Sequence, residues 1–151
     1  MMEIKEEKIP NHRIAYMRRI GAYGAENYQL MARMKEWAKL HQFFNDTNIL
    51  FGIVYDNETT KPENCRYDVA VVISEAFEVD RQVETGYLPG GDYLVFKIPH
   101  TVGAMTSFWG NLVQIIKESG YLIDFNRPVL ERYDVELVNR GYCEFCFPLK
   151  Y

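Results

Sequence analysis

The sequence predicts an α+β fold: a duplicated strand-helix-strand-strand unit with pseudo-twofold symmetry, its antiparallel sheets carrying two long helices that flank a central groove. Three observations point there. Strand-like and helix-like segments follow one another in the same order in both halves of the chain, and about 40 residues of the halves align without a gap at a shift of 78 residues. The 151 residues, 48% hydrophobic and 25% charged, suit one compact domain over 1–151. A chain this long buries roughly 70% of its unfolded surface, so its core needs neither disulfide nor metal.

Ile14 to Ile20 (IAYMRRI) reads as a strand that ends at Gly21–Gly24. From about Ala25 to Gln42, apolar Leu30, Met31, Met34, Trp37 and Ala38 recur three and four apart among charges, which is the spacing of an amphipathic helix. ILFGIVYD (49–56) and RYDVAVVI (66–73) are β-branched and aromatic runs joined by the loop NETTKPENC, completing a first repeat over about 12–75. After Pro89, Gly90 and Gly91 the order restarts with DYLVFKI (92–98). A second helix follows over 103–119, with Phe108, Trp109, Leu112, Val113, Ile115 and Ile116 apolar and Gly120 placed to cap it. PVLERYDVEL (128–137) and YCEFCFPL (142–149) close a second repeat over about 90–151 as strands.

At the shift of 78, Ile20 meets Ile98, Met31 meets Trp109, Met34 meets Leu112 and Tyr55 meets Tyr133. Two packed repeats leave a cleft at their axis, the natural place for a ligand. One position breaks the symmetry: Glu131 stands in an apolar strand where the first repeat has Ile53. Alternation along a strand puts Glu131 and Tyr133 on one face, with Leu130 and Arg132 on the other. A carboxylate removed from water is costly unless paired, so Glu131 in a cleft awaits a cation or a donor, whereas at the surface it would pair with Arg132 or Lys97.

The remaining features exclude more than they assign. A net charge of −4, with 10 basic and 11 acidic side chains in residues 1–75 and 7 and 10 in residues 76–151, offers no footprint for nucleic acid or a membrane surface. The N-terminus lacks the apolar core of a secretory signal and three cysteines are an odd count, so a cytoplasmic protein with reduced thiols is expected. Cys143 and Cys146 form a C-x-x-C, but on a strand that spacing sends the two thiols to opposite faces, against a redox pair or half a zinc site. Gly90 and Gly91 precede a strand, not a helix, so they mark a turn and not a phosphate cradle. No metal and no cofactor is expected.

FGIVYDN, CRYDVAVVI, GGDYLVFKI, SFWGNL and PVLERYDVEL, in this order and spacing, resemble the gyrase-inhibitor-like (GyrI-like) effector-binding domains, which occur alone or as the ligand-sensing part of AraC-type and MerR-type regulators. The resemblance covers nearly the whole chain. It implies the duplicated fold above and a groove for hydrophobic, often cationic, small molecules, with Glu131 of LERY as the central polar contact. Tyr133 and Trp109 would be aromatic walls, with Tyr55 and Phe108 as further candidates for the groove. A lipophilic cation gains about 0.5–2 kcal/mol from each aromatic face it stacks on. No helix-turn-helix segment is present, so operator binding is not expected. Three uses stay open: binding for sensing or sequestration, hydrolysis of electrophilic cyclopropane-containing toxins with Glu131 as general base, and inhibition of DNA gyrase through protein contact.

Overall fold

A computed structural model describes residues 2–43, 49–56 and 60–150; residues 57–59 of the predicted loop lie outside them. The elements are β1 (Glu3–Ile9), β2 (His12–Ile20), α1 (Ala25–Leu40), β3 (Ile49–Val54), β4 (Arg66–Val72), β5 (Glu84–Leu88), β6 (Gly91–Pro99), α2 (Val102–Gly110), α3 (Leu112–Ser119), β7 (Val129–Asp134), α4 (Val135–Asn139) and β8 (Tyr142–Pro148). The strands form one antiparallel sheet in the order β1-β6-β8-β7-β3-β4-β2-β5. Exchanging β1 with β5, β2 with β6, β3 with β7 and β4 with β8 returns the same order read backwards. The topology is thus two-fold symmetric about the β3–β7 pair.

This sheet cannot be flat. β1 and β2 stand six strand spacings apart, about 29 Å in a flat sheet, yet only Pro10 and Asn11 join them, a reach of about 11 Å. The same holds for β5 and β6, joined by Pro89 and Gly90. The sheet therefore rolls, and the two connections touch where the Gly90 N–H donates to Asn11 Oδ1. Inside the roll lies one apolar cluster that includes Ile9, Ile14, Phe51, Ile53, Leu88, Tyr93, Val95 and Leu130.

The outer face carries the helices. α1 lays Leu30, Met34, Trp37 and Ala38 on Ala15, Met17, Val69 and Val71 of β2 and β4. α2 and α3 cover Leu94, Phe96, Phe145 and Phe147 of β6 and β8. The predicted second helix is interrupted at Asn111, whose side-chain amide donates back to the Ser107 carbonyl; Gly110 and Asn111 are both weak helix formers. Gly120, at φ 77°, ends α3 as the sequence indicated. No described helix is long and apolar enough to cross a membrane.

Three elements differ from expectation. EIKEEKI forms the edge strand β1, where its charges suit an exposed edge. ETGYL forms the opposite edge, β5. The strand expected through Leu137 stops at Asp134, whose carboxylate accepts from the backbone N–H of Glu136 and Leu137 and starts α4.

The register also corrects the alignment of the halves. A shift of 79, not 78, carries His12–Ile20 onto Gly91–Pro99. It also brings Met17 onto Phe96, both under helices on the outer face. One residue of slip turns every side chain to the other face. Gly52, and not Ile53, is therefore the counterpart of Glu131, and the two are direct cross-strand partners.

Candidate functional site

With α1 over β2 and β4 and α2 over β6, the central strip of β3 and β7 lies between the helices on the outer face. Glu131 stands in the middle of this strip, partly buried, between Gly52 of β3 and Phe145 of β8. Its Oε1 accepts a hydrogen bond from the Tyr67 hydroxyl at 2.6 Å and from the Tyr133 hydroxyl at 3.3 Å. Tyr133 is two residues along the same strand, so it shares the face of Glu131.

Tyr67 comes from β4, one strand further away, and reaches Glu131 across β3. It can do so because Gly52 has no side chain: a Cβ built there would overlap both Glu131 Oε1 and the Tyr67 hydroxyl. The glycine is the gap through which the two side chains meet.

Burial raises the pKa of Glu131, and the two tyrosine hydroxyls, which stabilise the charged form, offset this in part. Burial, and then the neighbouring carboxylate, push Tyr67 and Tyr133 far up, so both remain hydroxyl donors. Among the described residues no cation pairs with Glu131. Arg132, next in sequence, points to the opposite face and pairs with Glu7 and Glu144, while Lys97 lies 3.8 Å from Glu3. Polar and aromatic groups close in from other elements. His100, at the end of β6, has its ring 5.6 Å from that of Tyr133, and Tyr23 meets Tyr67 edge-on at 6.1 Å. Tyr28 projects from α1, mostly exposed, near enough to Tyr67 and Tyr133 to raise both electrostatically.

The expected site residues separate into two sets. Glu131 and Tyr133 come together, and Trp109 lies near them, its ring 5.1 Å from that of Phe145, the cross-strand partner of Glu131. Phe108 does not face this strip. It is 3% exposed and packs on Phe96, Phe145 and Phe147, and it also borders a separate cavity with Met2, Ile98 and Ile115.

Tyr55 is on the wrong face. It packs with the cluster inside the roll and donates to Asp68 Oδ2 at 2.9 Å, with the Arg18 and Arg66 guanidinium groups over its ring. The pairing of Tyr55 with Tyr133 followed from the shift of 78, and the true register separates them. Tyr67 and Gly52 belong to this arrangement although neither is among the site candidates named from the sequence. A glycine in the centre of a β-branched run was the available signal, since such a residue marks a close approach.

Comparison with known proteins now adds to this geometry. Residues 2–150 match the family model for the GyrI-like small molecule binding domain. The SPbeta prophage-derived protein YosT of Bacillus subtilis (strain 168), named as a candidate transcriptional regulator, is 40% identical over 151 residues, covering 99% of this chain and 100% of that one. Among solved structures, EcmrR in its DNA complex superposes with a TM-score of 0.75 at 14% identity, over 99% of this chain but only 57% of EcmrR. Its isolated C-terminal domain gives 0.74 at 13% identity, over 99% of this chain and 98% of that domain. SAV2435 bound to tetraphenylphosphonium gives 0.63 at 16% identity, over 98% and 94% of the two chains. At such identities the structures speak to the fold alone. With a family model spanning all but the two terminal residues, and a relative aligned from end to end, the chain belongs to the GyrI-like small-molecule-binding domain family.

Proposed function

We propose that this chain binds lipophilic, positively charged small molecules in the strip between α1 and α2, for sensing or sequestration. Glu131 is the charge partner, Tyr133 and Trp109 supply aromatic faces, and the buried Tyr67 holds the carboxylate through its hydroxyl. The observation that carries the reading is a partly buried carboxylate, held by two tyrosine hydroxyls, with no cation of its own among the described residues. Such a group costs free energy in the empty protein, and an incoming cation relieves that cost. Flat or propeller-shaped organic cations match the rest of the strip, because aromatic rings attract positive charge through their faces and specify little else. The ligand of SAV2435, tetraphenylphosphonium, is of this class.

The test is a fluorescence titration of tetraphenylphosphonium against the native protein and Glu131→Gln, with circular dichroism to confirm that both are folded. The substitution keeps the shape and removes the charge, and it is expected to weaken binding by about 1–3 kcal/mol, roughly 5- to 150-fold. Equal affinities would remove Glu131 from the proposed role. Mass spectrometry of the recovered ligand belongs to the same experiment, since a binding module returns it unaltered.

A further inference from the structure

We infer that the strip is built for protonated amines: Glu131 Oε2 accepts an N–H from an aromatic ammonium ligand, and the site prefers such a ligand to a quaternary cation of the same shape. This rests on the cation-binding reading above and narrows its ligand class.

The two oxygens of the carboxylate are unlike. Oε1 is turned towards Gly52 and Tyr67, where a Cβ on residue 52 would overlap it. It accepts both tyrosine hydroxyls, from Tyr67 at 2.6 Å and from Tyr133 at 3.3 Å, which fills its lone-pair positions. Oε2 accepts nothing among the described residues. Nor is it closed in. Among the described residues, the buried side-chain polar atom that lacks a partner is Nη2 of Arg127, so Oε2 is open at the surface of the strip.

The tyrosines hold this oxygen ready. Two O–H donors favour the charged carboxylate and fix its plane, and Tyr67, at 4% exposed, cannot turn away. The free oxygen is thus a charged acceptor kept in one place, and a donor that meets it loses little in ordering it.

Such a position calls for a donor that carries positive charge. An ammonium N–H bonds a carboxylate oxygen at about 2.7–2.9 Å, and the bond is roughly twice as strong as one between neutral groups. A quaternary ammonium or a phosphonium has no N–H. Its charge is wrapped in carbon, so it cannot reach that distance, and it takes Oε2 out of water without giving it a partner. The aromatic walls do not make the distinction, because the faces of Tyr133 and Trp109 attract either kind of cation. Hydrophobicity opposes it, since every added methyl favours burial of the quaternary form. Preference for the N–H ligand therefore reports on Oε2. Primary, secondary and tertiary arylalkylammonium ions, with the nitrogen close to a flat ring system, combine both contacts.

The experiment is a fluorescence titration of two probes at neutral pH: (anthracenylmethyl)methylammonium, which carries N–H groups, and (anthracenylmethyl)trimethylammonium, which carries none. Native protein is expected to bind the first at least about fivefold tighter than the second. In Glu131→Gln, checked for folding by circular dichroism, both are expected to weaken and the preference to vanish or reverse. The amide must turn its carbonyl oxygen to the two tyrosine hydroxyls, which leaves its NH2 group, a donor, where Oε2 stood.

Equal affinities in the native protein, or tighter binding of the quaternary probe, with both probes weakened in Glu131→Gln, would overturn the amine preference and leave the cation site standing. A preference for the N–H probe that survives in Glu131→Gln would overturn it by placing the acceptor elsewhere. Absence of binding by either probe, or binding of both that Glu131→Gln leaves unchanged, would overturn the cation site itself, and the preference with it.

Discussion

Replacing Gly52 by alanine tests whether the approach of Tyr67 to Glu131 is as close as described. Gly52 is absent from the residues with positive φ, so its backbone suits alanine. In open space the change would then stabilise the protein by about 0.4–1 kcal/mol through the unfolded chain. The site opposes this. The new methyl would overlap Glu131 Oε1 and the Tyr67 hydroxyl, with Tyr67 Cζ only 3.0 Å away. Tyr67 is 4% exposed and cannot swing out, so the hydrogen bond to Glu131 must break or the strand must shift. A buried hydroxyl left without its acceptor costs about 1–3 kcal/mol, and overpacking costs a similar amount.

The net expectation is a loss of about 1–4 kcal/mol, at roughly 2–4 °C in Tm for each kcal/mol in a chain of this size. Urea denaturation followed by circular dichroism measures it. The double variant Gly52→Ala/Tyr67→Phe, which removes the hydroxyl, is expected to lose at least about 1 kcal/mol less than the two single losses added together. A Gly52→Ala protein as stable as the native one, or additive effects in the double variant, would refute the close approach.

Two further outcomes follow from the same structure. The Arg132 guanidinium holds Glu7 well below the ordinary carboxyl value of 4.5, at about 2. That depression stabilises the fold fully above pH 4.5 and is lost as pH falls towards 2. It is worth on the order of 3 kcal/mol at most, and less because Glu7 is partly exposed. Glu7→Gln should therefore flatten the acid limb of a plot of stability against pH without changing its slope above pH 5. Burial raises the thiols of Cys143 and Cys146 to about 12 and the three cysteines are all buried, so an aromatic disulfide reagent at pH 8 should label the native protein slowly and label three thiols at once in denaturant. Fast labelling of Cys143 or Cys146 in the native state would contradict the packing.

The sequence made some of this legible and hid the rest for identifiable reasons. Helix α1 and strands β2, β3, β4, β6 and β8 stand out because their apolar side chains keep a clean period against one covered face. β1 was hidden because an edge strand exposed to water carries Glu3, Lys5, Glu6, Glu7 and Lys8, a pattern shared with any solvated segment. α4 was written in plain view by Asp134, whose side chain caps a helix as readily as it ends a strand. The site was half visible. Glu131 and Tyr133 are two apart on one strand and need only alternation, whereas Tyr67 lies 64 residues from Glu131 and reaches it through a strand pairing that no local pattern specifies, and the shift between the halves is one residue longer than the alignment of their sequences suggests. That slip also accounts for Tyr55, placed beside Tyr133 on paper and behind the sheet in the molecule.

The exchange of edge strands sets a timetable for the chain's birth. β1 pairs with β6, some 90 residues downstream, and β2 waits for β5. At a synthesis rate of about 5–20 residues per second, the first strand spends roughly 5–20 s without its partner. An apolar ribbon left open that long would recruit the same ribbon from neighbouring nascent chains. The charges of EIKEEKI keep it dissolved until the last strands arrive. A charge-neutralised β1 should therefore show its defect in the yield of folded protein during expression more than in the stability of the molecules that succeed in folding.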